Sequence, residues 1–231
     1  MSKLFMATTL LFITLFGLYT TSIWPVSINS TFLEHQVTQL TGMLTLGYLS
    51  IVMLLSIKPK WLISRFFKVG DMYKAHKELG IASCFSLVLH WLLANDVTLS
   101  SWLFDGWMQD FGEDLGEVVL YLLLPFVALS LSRLFKLRWF KKVHHVGGII
   151  FVVAATHSIL LLESGSNQFL FSSSVLVFSL IGIVCAYITL SKHTKPLVRA
   201  LRQKGEEMIK HLANADWKVF HLLRLFPTKI K

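Results

Sequence analysis

Apolar residues along the chain gather into six runs, at 4–23, 38–57, 76–95, 116–135, 143–162 and 169–190, with polar and charged residues collected between them. Roughly 20 mostly apolar residues make a helix long enough to cross a bilayer. The pattern therefore predicts an all-α integral membrane protein: a six-transmembrane helix bundle over residues 1–191, followed by a separate tail over 192–231. The first run, with Lys3 ahead of it, has the look of a signal peptide. No small-x-small cleavage site stands near its end, where Tyr19-Thr20-Thr21-Ser22-Ile23-Trp24 occurs, so it reads as a retained first helix.

Composition narrows the class further. Hydrophobic residues make up 54% of the 231 and charged residues 15%, against about 25% charged in a soluble domain. An ordinary soluble protein is excluded. The two cysteines, Cys84 and Cys185, each lie inside an apolar run. That leaves no disulfide framework and no Cys-x-x-Cys site.

Charge sets an orientation. The net charge of +9 could suggest nucleic acid, but the distribution points to membrane lipids instead. All 22 Lys and Arg fall on one set of alternate connections: Lys3, the stretch Lys58–Lys77, the stretch Arg133–Lys142, and the tail from Lys192 onward. The opposite connections carry Glu34, Asp96, Asp105, Asp110, Glu113, Asp114, Glu117 and Glu163, and no basic residue. Basic loops stay cytoplasmic, so both termini are expected inside, in a multi-pass protein of a plasma membrane, a bacterial inner membrane by size. Connection 96–115 holds Trp102, Trp107 and Phe111, which read as interface anchors. The tail interleaves Leu201, Met208, Leu212, Val219 and Leu222 with Lys and Arg. It reads as an amphipathic helix on the membrane surface, with a docking surface for a cytosolic partner as the sharper alternative.

Five of the nine histidines fall in or beside the apolar runs. His35, His193, His211 and His221 lie in polar stretches and read as solvated or interfacial. Ionisable groups at membrane depth are costly and usually functional. His76 and His90 are 14 positions apart, which at about 100° per residue puts them within about 40° of one face and about 21 Å apart along the axis. His144 and His157 are 13 apart on the fifth run, which crosses in the same direction as the third. His76 thus shares one layer with His144, and His90 shares another with His157. Two imidazole pairs stacked through the membrane suit two bis-histidine haems. A zinc site would gather four ligands in one place. Thirteen steps on an ideal helix leave His144 about 140° from His157, and His145 is about 120° away, so spacing alone leaves open which of the two is the ligand. Ser83 and Gly80 near His76, and Gly147 and Gly148 near His144, are small enough to admit a flat group or to pack helices.

His-x13-His on the third run and His-His-x11-His on the fifth, within six spans, resemble the ferric-reductase-like transmembrane domain family. The stretches that carry the likeness are Ala75-His76-Lys77-Glu78-Leu79-Gly80 to Leu89-His90 and Val143-His144-His145-Val146 to Thr156-His157. The resemblance implies two haems b, or one. His76 and His144 would be the axial ligands of the inner haem, and His90 and His157 those of the outer haem. It also favours His144 over His145. It implies that electrons enter from a cytoplasmic flavin and leave to an acceptor on the far side. Larger members carry their own FAD and NAD(P)H domain. The tail here has no Gly-x-Gly-x-x-Gly, so FAD or FMN is expected only through a partner, a cytoplasmic flavin/NAD(P)H reductase, or else the chain is a fragment of a longer reductase. The length is similar to that of the haem-binding membrane subunit of the methionine sulfoxide reductase system, which makes delivery to a periplasmic protein the alternative function. A haem-free transporter or assembly protein is the reading from another class; the spans lack paired interrupted helices, with Pro125 the only mid-span proline.

Overall fold

Without water to bond exposed backbone groups, a chain in lipid closes its hydrogen bonds within each segment, and helices do so locally. A computed structural model describes residues 2–23, 30–59, 62, 69–94, 107–132, 144–162, 169–191, 204 and 206–207. Six helices are found among them, with no strand: α1 (Lys3–Ile23), α2 (Ser30–Ser56), α3 (Val69–Ala94), α4 (Trp107–Leu131), α5 (Val146–Leu160) and α6 (Phe169–Ser191). Five are long and apolar enough to cross a membrane; α5, at 15 residues, is shorter than that. Each helix overlaps one of the six apolar runs. Several reach beyond their runs into polar sequence. Trp107 and Phe111, expected in a connection, are exposed residues in the first turns of α4. His76 lies two turns inside α3 rather than at its edge. Polar residues such as Asp71 and Asp110 extend these helices because they occupy first turns, where an acidic side chain complements the helix dipole. Trp102 and almost all of the tail, His193, His211 and His221 included, lie outside the described residues. Within the tail, Lys204, Glu206 and Glu207 are helical and exposed.

The core is built around α2. Buried positions make up 67% of its apolar stretch, against 17–28% in the other long helices. It packs against α1, α3 and α5, while α4 packs against α5 and α3. Elsewhere large apolar side chains such as Leu10, Phe85, Tyr121, Leu180 and Tyr187 point outward, as a lipid-facing surface requires. Backbone N–H of Ser2 donates to the Glu78 carboxylate at 2.7 Å, which brings the start of α1 to the His76 end of α3.

Lipid is as apolar as leucine, so helix association in a bilayer depends on close packing and polar contacts rather than on hydrophobic burial. Both are visible. Ser50 Oγ donates to the Phe178 carbonyl at 2.8 Å, joining α2 to α6, and Tyr19 OH donates to Gln39 Oε1 at 2.9 Å, joining α1 to α2. Such bonds contribute about 0.6 kcal/mol each in a membrane. Two aromatic rings go further. Phe12 sits against the backbone of Gly47, and Phe151 against that of Gly182, each occupying the space of the missing Cβ. A methyl group there overlaps the ring, and overpacking costs about 1–3 kcal/mol. Gly182→Ala is therefore expected to destabilise the protein by about 1–3 kcal/mol. Gly17→Ala, with no atom within 4 Å of its Cβ position, is expected to be neutral or to stabilise by up to about 1 kcal/mol. Detergent–SDS unfolding titrations of the two variants check the opposite signs.

Candidate functional site

Helices α3 and α5 bring four histidines together in two pairs. The rings of His76 and His144 have centroids 5.7 Å apart at an interplanar angle of 52°; those of His90 and His157 are 6.3 Å apart at 80°. The pairs are separated by the 14 residues from His76 to His90, about 21 Å of helix. His145 occupies the N-cap of α5, and the ring facing His76 belongs to His144. The angular mismatch on α5 has a structural cause. His144 precedes the regular helix, and Gly148 N–H donates to the His145 carbonyl at 3.1 Å, a tightened i+3 turn between the two histidines. An ideal 100° step per residue does not apply across it.

Neighbouring backbone orients two of the rings. His90 Nδ1 lies 2.9 Å from the Thr38 carbonyl on α2, and His157 Nδ1 lies 2.7 Å from the Gly112 carbonyl on α4. A carbonyl oxygen only accepts, so in both histidines Nδ1 carries the proton and donates. In the neutral ring Nε2 is then the basic nitrogen. His144 is placed differently: the Phe126 ring stacks on it at 5.5 Å and 19°.

Glycines sit under the second pair. A Cβ on Gly42 would stand 3.0 Å from His90 Cε1, and one on Gly116 would stand 2.6 Å from His157 Cε1. The small residues singled out from sequence behave otherwise. Gly80 has nothing within 4 Å of its Cβ position, Gly147 makes room for the Phe126 ring, and Ser83 is fully buried with its hydroxyl on the Gly80 carbonyl. Sequence reading missed Thr38, Gly42, Gly112, Gly116 and Phe126. The Gly112-x3-Gly116 spacing was a readable signal of close helix approach; for Gly42 and Phe126 there was none.

Among the described residues no three or more of His, Cys, Asp and Glu come together as a metal site. Among the described residues, each pair thus offers two imidazoles and no further His, Cys, Asp or Glu. Structural zinc, which takes four protein ligands, does not fit.

The family model described as ferric reductase like transmembrane component matches residues 41–155. That stretch is a ferric-reductase-like transmembrane domain. It contains His76, His90 and His144 and ends two residues before His157, and it spans α3, α4 and most of α2 and α5. No curated protein matches the chain. With its long apolar helices, this ferric-reductase-like chain is a multi-pass membrane protein.

The stack of Phe126 on His144 has a measurable consequence. Aromatic pairs contribute about 0.5–1.5 kcal/mol beyond burial. A double-mutant cycle of Phe126→Leu and His144→Leu, read by SDS unfolding, is expected to return a coupling of about that size. Phe126 paired with His145 in the same cycle is expected to give no coupling beyond about 0.5 kcal/mol.

Proposed function

We propose that this protein carries electrons across a membrane, with His76 and His144 as the axial ligands of an inner b-type haem and His90 and His157 as those of an outer one. The observation that carries the reading is the spacing of the two ring pairs, 5.7 and 6.3 Å between centroids. Two metal–nitrogen bonds of about 2.0 Å, with about 1 Å from each bonded nitrogen to its ring centre, separate two imidazoles on one metal ion by about 6 Å. Two protein ligands per site suit a metal whose remaining positions are filled by a macrocycle. Bound there, haem iron supplies a one-electron carrier that cycles between ferric and ferrous states.

The chain's own residues set the conditions for this. Carbonyls of Thr38 and Gly112 hold the outer imidazoles in the tautomer that leaves Nε2 basic. Held between two imidazoles, such a group would serve electron transfer rather than the binding of oxygen or substrate. Basic residues on one set of connections support a cytoplasmic position for the His76 end of α3, where a separate flavin/NAD(P)H reductase would deliver electrons. The outer acceptor, a metal chelate or a periplasmic protein, would meet the acidic connections.

Detergent-purified protein, expressed with haem available, is expected to show two low-spin b-type haems per chain in oxidised and dithionite-reduced spectra. Replacing His90 or His157 by Ala should remove one haem, and replacing His76 or His144 the other. His145→Ala should retain both. A wild-type protein with no haem absorbance, or retention of both haems in all four alanine variants, overturns the proposal.

A further inference from the structure

The second histidine pair is held by the same device twice, in two different helix pairs. On α2 the Thr38 carbonyl binds His90 Nδ1, and Gly42 lies four residues on. On α4 the Gly112 carbonyl binds His157 Nδ1, and Gly116 lies four residues on. Each glycine presents its missing Cβ to the same three ring atoms in the same order of approach: Cε1, then Nδ1, then Nε2. The distances are 3.0, 3.1 and 3.6 Å at Gly42, and 2.6, 2.9 and 3.3 Å at Gly116.

The repeat has a geometric reason. In an α-helix the carbonyl of residue i already accepts the N–H of residue i+4. It has a second lone pair, and the His90 and His157 rings reach it by lying over the backbone at i+4. A Cβ at i+4 stands where the ring must go. A histidine can therefore share a helix carbonyl when the residue four places on is glycine. We propose that Gly42 and Gly116 are positioning residues: they admit the His90 and His157 rings to the Thr38 and Gly112 carbonyls, and so fix which nitrogen each ring offers to a metal. The first pair is held otherwise. His144 is placed by the Phe126 ring. Among the described residues, the carbonyl–glycine cradle is seen at the second pair and not at the first.

A hydrogen bond from the far nitrogen fixes ring orientation and raises the basicity of the ligating one. A methyl group at either glycine pushes the ring off its carbonyl, and both effects are lost. The cofactor readout rests on the haem reading given above; the tautomer readout does not. In Gly42→Ala and Gly116→Ala proteins, one haem is expected to be lost or to change. A retained haem would show a raised midpoint potential and an altered low-spin EPR signal, while the other haem keeps its potential and g values. The effect should be larger for Gly116→Ala, where the approach is closer. Gly70→Ala, with nothing within 4 Å of its Cβ position, should match wild type in both haems. The unaffected haem serves as the internal check that the variants fold. Selective 15N NMR of histidine side chains in wild-type protein, in the reduced low-spin state or free of haem, should show Nδ1–H tautomers for His90 and His157. This measurement stands even if the glycine variants do not fold. Unchanged haem content, EPR and potentials in both glycine variants would overturn the inference, as would an Nε2–H tautomer at either histidine. Wild-type protein that binds no haem but shows the Nδ1–H tautomers would sink the proposed function and leave the cradle standing.

Discussion

An imidazole inside a bilayer has two nitrogens and no water, and the use of one decides the use of the other. In this protein the backbone takes Nδ1 of His90 and of His157 through carbonyls of the adjacent helices. That choice constrains the rest. It fixes how far α2 slides against α3, because the carbonyl and the ring must meet. It does the same for α4 and α5. It also requires that the helices approach closely enough for a ring edge to lie on bare backbone, which Gly42 and Gly116 allow. The His90–His157 ring contact lies between these two docked helix pairs, which meet through α3–α4 and α2–α5 packing.

Close approach is also the general rule of the bundle. Where a soluble protein would rely on burial of apolar surface, these helices interlock ring against glycine: Phe12 on Gly47, Phe126 on Gly147, Phe151 on Gly182. The hydroxyls of Thr8, Thr38, Thr41, Thr45 and Ser86 return to carbonyls of their own helices. They add polarity without leaving unsatisfied groups in lipid. Ser50, Tyr19 and the Thr9–Tyr48 and Ser56–Thr189 pairs make bonds that cross between helices. Helix α2 has the densest set of such residues and the largest buried share of the long helices, so one helix both organises the packing and supplies the carbonyl that holds His90.

The geometry and the family match bear on function at different levels. Residues 41–155 carry the ferric-reductase-like fold, and a fold of this kind supports electron transfer across a membrane. The ring separations support the proposed chemical detail: the two imidazoles of each pair stand at a distance suited to one metal ion between them. The asymmetry between the pairs, with one set on carbonyls and glycine and the other using an aromatic stack, gives the protein separate means of adjusting each site.

Hydrophobic runs of about 20 residues and the one-sided distribution of Lys and Arg were enough to read a helical membrane bundle and its expected orientation from sequence, because both are local properties of composition. The histidine partners were legible for the same reason: equal steps on two helices that cross in the same direction put residues at equal depth, whatever the details of packing. Helix ends were less legible. Polar first turns such as that around Asp71 carry no hydropathy signal, so α3 begins well before its apolar run. The choice between His144 and His145 depended on a tightened turn that breaks helical periodicity. Carbonyl partners, ring-bearing glycines and the Phe126 stack depended on tertiary structure alone. A backbone oxygen has no letter in the sequence, and a glycine acquires meaning only from the side chain that another helix lays across it.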